Sequence, residues 1–320
     1  MCCLCFFVAA NLVVMKARLI WLVLCCIWGS TWLFIKLGLA DLPPLTFAGI
    51  RFVIACAILF PLIRLRKIRL PRARNDWILL AVSGILSFGF NYGLVFWGEQ
   101  YISSGLAALL QATLPAFGLV FAHLHLPGER LSWAKMGGVV LGVCGVGVVF
   151  SNQLQVSGTR ALAGCVALIL SAMFAAYSNV LVKKFGKHLD PAVLAAGQMF
   201  FGLLLLLGVG IPLEGNPLRF HWSAMAWIAL VYLAVVGSVI AFLLYYWLVQ
   251  HMDVTKSMLI ALVTPVVAVV LGMIVLDEEI SWRTLAGGAM IMAGIAFIVV
   301  RRTKNKSLER EAIASSAGAD

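Results

Sequence analysis

Ten apolar runs, each about the 20 residues that a helix needs to cross a bilayer, fill nearly the whole chain. They cover approximately 18–39, 45–64, 77–98, 104–126, 133–150, 161–182, 191–212, 223–249, 256–276 and 282–300, and the linkers between them are short. Pro43-Pro44, Pro127-Gly128, Asp190-Pro191 and Asn216-Pro217 punctuate four of the connections, where breakers belong. Apolar residues make up 63% of the 320 and charged residues 12%, against about 45–50% and 25% in soluble domains. A water-soluble fold cannot hide that much apolar surface, because burial saturates with size. A soluble enzyme, a secreted disulfide scaffold and a disordered chain are therefore excluded. The expected fold is an all-α integral membrane protein with ten transmembrane helices, embedded in the lipid bilayer of a cell membrane, the bacterial inner membrane.

The formal charge of +11 raises nucleic acid as a partner, and the distribution of the charge answers it. The basic residues lie between and beyond the apolar runs, and no soluble platform interleaves them with base-stacking aromatics. With a cytoplasmic N-terminus, the inside segments carry nineteen of the 24 Lys and Arg, with a cluster from Arg64 to Arg74, a second at Lys183, Lys184 and Lys187, and a third from Arg301 to Arg310. The outside loops hold only Arg160, Arg219 and Arg283. Such asymmetry orients membrane proteins, so both termini are expected in the cytoplasm.

Of the eight cysteines, Cys25, Cys26, Cys56, Cys144 and Cys165 lie inside apolar runs, where Cys acts as a small hydrophobe. Cys2 and Cys5 form a Cys-x-x-Cys without the second pair or nearby His that a zinc site needs. No metal and no cofactor are expected. Residues 1–15 lack a basic region ahead of their apolar run, and Met15-Lys16 is a more natural opening, so this extension reads as a mis-assigned start. The polar tail 302–320 is expected in the cytoplasm.

The chain repeats itself at an offset near 150. Trp97-x-x-Gln100 returns as Trp247-x-x-Gln250, Pro115 as Pro265, and Glu129-Arg130-Leu131-Ser132-Trp133 as Glu278-Glu279-Ile280-Ser281-Trp282. Pro44 to Arg51 parallels Pro191 to Gln198. This gives two five-helix repeats, over 16–151 and 161–301. An odd number of spans sends the second copy in from the opposite face, so the repeats are inverted, as in many secondary transporters. Exchanging the conformations of the halves then turns an inward-open cavity outward.

Trp28-Gly29-Ser30-Thr31 with Lys36, Leu42-Pro43-Pro44, Arg51-Phe52, the run Ser103 to Ala108 followed by Pro115, and Gly128-Glu129-Arg130-Leu131 before a Gly-rich span resemble EamA-type members of the drug/metabolite transporter superfamily. The likeness spans roughly 18–301. It implies ten helices, a central cavity lined by the first, third and fourth helices of each half, and export of amino acids or other small metabolites. The second repeat departs from the family at about Ala175, where a Trp is usual.

Acidic residues fall in loops, at span ends or in the tail. Glu99, about 34 Å along its helix from Asp76, is expected at the outer interface. Lys36, one turn from the outer end, is expected to snorkel to water, and its loss to be mild. Arg51 lies about 10 Å below Pro44, too deep to stand alone, and is read as pairing with Glu99, Asp41 or backbone carbonyls, or as a gate or anion contact. Ser83, Ser87 and Asn91, at i, i+4 and i+8, share one face of the third span. Trp28, Thr31, Gln111, Tyr177, Asn179, Tyr245 and Thr264 complete the substrate-binding candidates, with helix-to-helix bonding as the competing reading for each. Pro115 and Pro265 are hinge candidates. Gly138, Gly142 and Gly145 in the fifth span and Gly287, Gly288 and Gly294 in the tenth offer close packing, or a seam that leaves monomer and homodimer both open.

These features favour an exporter of amino acids or similar amphipathic metabolites, with a small molecule as its partner. The alternatives are an exchanger of nucleotide sugars or phosphorylated metabolites, which needs several cavity cations, and a channel. A membrane-embedded enzyme lacks a His-Glu-x-x-His site and paired midplane carboxylates. The orientation gives the first prediction. Cys placed at Ser157 or Asn216 should label from outside intact cells, whereas Cys at Arg69 or Lys187 should not; ready labelling at Arg69 would reverse the topology.

Overall fold

The computed structural model describes residues 3–126, 133–156, 158–251 and 260–297, which form helices and short connections without a strand. Outside them lie residues 127–132, with most of the Glu129 motif, residues 252–259 with Lys256, and the tail 298–320. Helix α1 runs over Cys3–Gly38. Then come α2 (Pro44–Leu65), α3 (Arg74–Glu99) and α4 (Ser104–His125). The next four are α5 (Trp133–Val156), α6 (Gly158–Phe185), α7 (Pro191–Glu214) and α8, which begins at Ala224 and ends at His251. The order closes with α9 (Ile260–Val275) and α10 (Trp282–Phe297).

Seven of these helices have the length and apolar content to cross a membrane: α1 from Met15, α2, α3, α4, α6, α7 and α8. Apolar stretches in α5, α9 and α10 are shorter. Start signals match the residues. Pro43, Ser103, Asp190 and Ser223 stand at N-caps, and the last three accept a backbone N–H with their side chains. Gly215, at φ 99°, ends α7 in the left-handed region where a side chain is strained. Large apolar side chains such as Leu22, Ile58, Phe90, Leu204, Trp227 and Ile274 face outward, as a lipid-facing belt requires.

Packing runs α2 on α7, α1 on α9 and α8, α3 on α6 and α7, and α4 on α6 and α9. One core cluster joins Phe47, Phe52, Leu59, Phe96, Leu110, Leu168, Met199 and Leu230 across these elements. Two interruptions shape the middle. Helix α3 passes through a π-helical segment at Ile85–Phe90, and α8 through another at Tyr232–Ile240. Adding the repeat offset of 150 to the first lands it inside the second. In the π geometry the hydrogen bond reaches five residues, which rotates everything after it.

The glycines of α5 and α10 meet each other. A Cβ on Gly145 would stand 2.5 Å from the Gly287 carbonyl, one on Gly287 2.7 Å from the Gly145 carbonyl, and one on Gly294 would strike Gly138. Their expected role in close helix packing is what the geometry contains. Gly147, on the same helix, has nothing within 4 Å. Gly145→Val should therefore lower stability by about 1–3 kcal/mol, the usual cost of overpacking, while Gly147→Val leaves it within about 0.5 kcal/mol. Thermal unfolding in detergent checks both. Equal shifts would show that α5 and α10 do not touch there.

Candidate functional site

The polar and aromatic side chains form three groups. The first is a cluster at the meeting of α1, α2, α3 and α8. Arg51 sits in it with 2% of its surface exposed. Its Nε donates to Ser238 Oγ at 3.1 Å, and that hydroxyl donates to the Leu233 carbonyl at 3.0 Å within the π segment. The guanidinium lies over the rings of Tyr92, at 5.1 Å, and Phe52, at 5.3 Å. Its NH1 has no hydrogen-bond partner. Gly237 packs tightly beside it: a Cβ there would strike Thr31 Cγ2, at 2.9 Å, and stand 3.5 Å from Arg51 NH2. The rings continue from Phe52 to Phe88 and Tyr92, from Phe88 to Phe242, and from Phe242 to Trp28, which also meets Tyr245 at 5.3 Å.

The second group is a hydrogen-bond ladder between α3, α4 and α6. Asn91 Nδ2 donates to the Ser87 carbonyl at 3.0 Å, and its Oδ1 accepts from Gln111 Nε2 at 3.0 Å. Gln111 Oε1 accepts from Ser171 Oγ at 2.6 Å. Lower on the same helices, Ser178 Oγ donates to the Ser83 carbonyl at 2.9 Å. In hydrocarbon each of these groups needs such a partner.

The third group closes one end of the bundle. Lys36 Nζ donates to the carbonyls of Glu99 and Ile102, at 2.6 and 2.7 Å, holding the turn between α3 and α4. The Glu278 carboxylate accepts from Ser104 N at 2.7 Å, Ser104 Oγ at 3.0 Å and Gly105 N at 3.3 Å, capping α4. Gly272 makes space for it, since a Cβ there would overlap the carboxylate. Glu214 accepts from Leu45 N at 2.8 Å and Thr46 N at 2.7 Å, capping α2, and Ser223 Oγ donates to Asp41. An anion at a helix N-terminus is favoured by the exposed N–H groups and the helix dipole.

The profile of the EamA-like transporter family matches residues 15–151 and again 162–300. The chain belongs to that family. The uncharacterized inner membrane transporter YedA of Escherichia coli K12 is 30% identical over 272 residues, 83% of this chain and 85% of that one. The uncharacterized transporter YoaV of Bacillus subtilis is 27% identical over 270 residues, 84% and 91%. A solved crystal structure superimposes with a TM-score of 0.62 at 22% identity, over 89% of this chain and 98% of the other, a likeness of fold alone. The protein is thus a multi-pass membrane protein of a transporter family.

For this EamA-family chain, several expected site residues move. Arg51 and Glu99 form no pair: Arg51 bonds Ser238 on α8, and neither Glu99 carboxylate oxygen meets a donor. Glu99 ends its span as expected but is fully buried, because the turn that Lys36 pins covers it. Lys36 does not snorkel freely; two carbonyls hold it. Asn179 is exposed, and its neighbour Ser178, about 100° away on the helix, is the buried residue. Tyr177 packs instead against Phe121 and His125 at the far end of α4, and Thr264 Oγ1 bonds back to the Ile260 carbonyl. The even face of Ser83, Ser87 and Asn91 is broken by the π segment, and Ser87 contributes only its carbonyl. Trp28, Thr31 and Tyr245 lie around the Arg51 cluster, and Gln111 and Asn91 in the ladder. Pro115 opens the second part of α4 after a break at Ala112 and Thr113, whereas Pro265 sits inside an unbroken α9. Sequence reading missed Ser171, Ser238, Phe88, Tyr92, Phe242, Glu214 and Glu278. The one available signal was the repeat, which pairs Phe88 and Tyr92 with Ser238 and Phe242 at 150.

The ladder predicts non-additive costs. Asn91→Ala and Gln111→Ala should each destabilise by about 0.6–1.7 kcal/mol, the range of interhelical hydrogen bonds in membranes. The double variant should cost less than the sum, because the shared bond is lost once. Unfolding in mixed micelles reads this out; additive costs would mean the bond contributes nothing.

Proposed function

We propose that this protein is a secondary transporter that exports small metabolites, amino acids or amphipathic analogues, by alternating access about a central chamber. The observation that carries the reading is the closed end. Glu278, Lys36 and Glu214 each bridge different parts of the bundle there, while a buried cluster of polar and aromatic groups lies deeper between the helices. With the N-terminus in the cytoplasm, that end would face outside, the side an exporter keeps sealed while it loads.

An inverted repeat of ten spans belongs to the same reading, and the helix contacts support it. Exchanging each helix for its counterpart five places along maps α1 on α9 to α6 on α4, α3 on α6 to α8 on α1, and α3 on α7 to α8 on α2. The α2–α7 and α4–α9 contacts map to themselves. A two-fold axis between halves of five spans must lie in the membrane plane, the build that lets one half take the other's conformation.

The seal is held by charge-assisted hydrogen bonds, each contributing about 1.5–3 kcal/mol. Losing one should shift the closed-to-open balance on the order of tenfold or more. Overexpression should protect growing cells against a panel of toxic amino acids and analogues, and Glu278→Ala and Lys36→Met should lose that protection at normal membrane abundance. In a cysteine-free background, a thiol at Thr31 should react with an impermeant reagent at least about tenfold faster in either variant. Unchanged labelling would show that these contacts do not gate, and no protection by any panel member would remove the exporter reading.

A further inference from the structure

We propose that Arg51 is the anchor for a carboxylate on the transported molecule, and that the surrounding rings receive its apolar body. The proposal deepens the transporter reading and rests on it for the word transported, not for the site itself.

Arg51 is a buried cation without a counter-ion. Its Nε is bonded to a neutral hydroxyl, NH1 to nothing, and its side chain is 2% exposed. Among the described residues no carboxylate forms an ion pair with it: Glu214 and Glu278 cap α2 and α4, Asp41 binds Ser223, Asp76 lies 2.9 Å from His188, and Glu99, itself unpartnered, lies under the turn that Lys36 pins. Two aromatic faces at 5.1 and 5.3 Å offset part of the cost. Such contacts recover only part of what desolvating a single ion costs. The balance is left for an anion.

The geometry limits which anion. A guanidinium with a free edge takes a carboxylate through paired N–H donors. Here NH1 is the donor left without a partner among the described residues, while on the NH2 side the Thr31 methyl closes in on Gly237. The repeat-equivalent position of Arg51 is the neutral Gln198, and Lys36 is committed to two carbonyls, so one positive charge serves the cluster. That suits a monoanion rather than a phosphate dianion or a nucleotide sugar. Phe88, Tyr92, Phe242 and Trp28 form an adjoining aromatic wall. The ligand class is therefore a small monocarboxylate with an aryl or branched apolar body, apolar amino acids included.

The test uses purified full-length protein in nanodiscs and matched acids and amides. The probes are 3-phenylpropionate, 4-methylvalerate and L-phenylalanine, each against its own carboxamide, with phenyl phosphate as the dianion. Wild type should bind at least one acid tenfold or more tightly than its amide. Arg51→Gln should bring acid and amide within twofold, and Arg51→Lys, which keeps the charge without the fork, should fall between. Equal binding of acid and amide by wild type, no binding of any acid, tighter binding of phenyl phosphate, or a preserved acid preference in Arg51→Gln would each overturn the proposal. The wild-type comparison decides even where Arg51→Gln does not fold. Counterflow of the same acids in proteoliposomes separates the two readings. Acid-selective binding without counterflow leaves the anchor standing and removes the carrier; counterflow of an uncharged solute without acid binding does the reverse.

Discussion

In a bilayer the protein must supply every hydrogen bond that water would otherwise supply, and that constraint organises this molecule from end to end. Unsatisfied backbone groups cost several kcal/mol in hydrocarbon, so the described residues form helices joined by short connections. Side-chain polarity obeys the same rule. Ser30, Thr31, Ser83 and Thr264 each bond a carbonyl one turn back on their own helix. Asn91, Gln111 and Ser171 satisfy one another across three helices. Against this background the free NH1 of Arg51 and the unpartnered carboxyl of Glu99 stand out. Glu99 lies under a turn already pinned by Lys36, whereas Arg51 sits in a cluster of rings beside a glycine.

The parts of the fold legible in the sequence were those that depend on long averages. The membrane class follows from apolar run length, and the duplication from Trp97, Pro115 and their counterparts in order, which two separate matches to one family profile accompany. The glycine face of α5 was legible because small-residue spacing reports backbone approach directly. Individual side-chain directions were not. One residue decides between the exposed Asn179 and the buried Ser178, and a hydropathy pattern cannot resolve a single helical step in an apolar segment. The π segments add a rotation with no sequence signature of its own, so the i, i+4, i+8 face through Ser83 and Asn91 was drawn on a helix that does not hold it. The ends were misread for another reason. Charge near a helix terminus was assigned to water, but Lys36 and Glu278 find helix carbonyls and helix N–H groups, partners visible only once the bundle is assembled.

The two π segments lie at one repeat position, yet the halves use them differently. In α3 the segment delivers Phe88 and then Tyr92 to the cluster; in α8 it delivers Ser238 to Arg51 and then Phe242. A π turn replaces four-residue bonds by five-residue ones, and the Ser238 hydroxyl answers the Leu233 carbonyl five residues back while accepting from the guanidinium. The local irregularity and the buried charge therefore support each other. Restoring a regular helix in α8 would rotate Ser238 away and leave Nε as bare as NH1.

Divergence between the copies gives the cluster its asymmetry. The ladder residues Asn91 and Gln111 correspond at the 150 offset to Ala241 and Ala261, and Arg51 corresponds to Gln198. One half has kept polar groups at positions where the other has methyl groups. The rings do not follow one direction: Phe88 corresponds to Ser238 at this offset, whereas Val95 corresponds to Tyr245. A backbone duplicated with this regularity could alternate with any lining. In the proposed carrier, a lining that differs between the halves would hold a solute with two unlike ends in one orientation. In an alternating-access cycle the same asymmetry would keep the two end states from being equal in energy by symmetry, since exchanging the conformations of the halves does not exchange their side chains. If the contacts at the Glu278 end form a gate, they would set how far the resting population leans towards one state, and an anion on Arg51 would shift that population only through a difference in how the two states hold it.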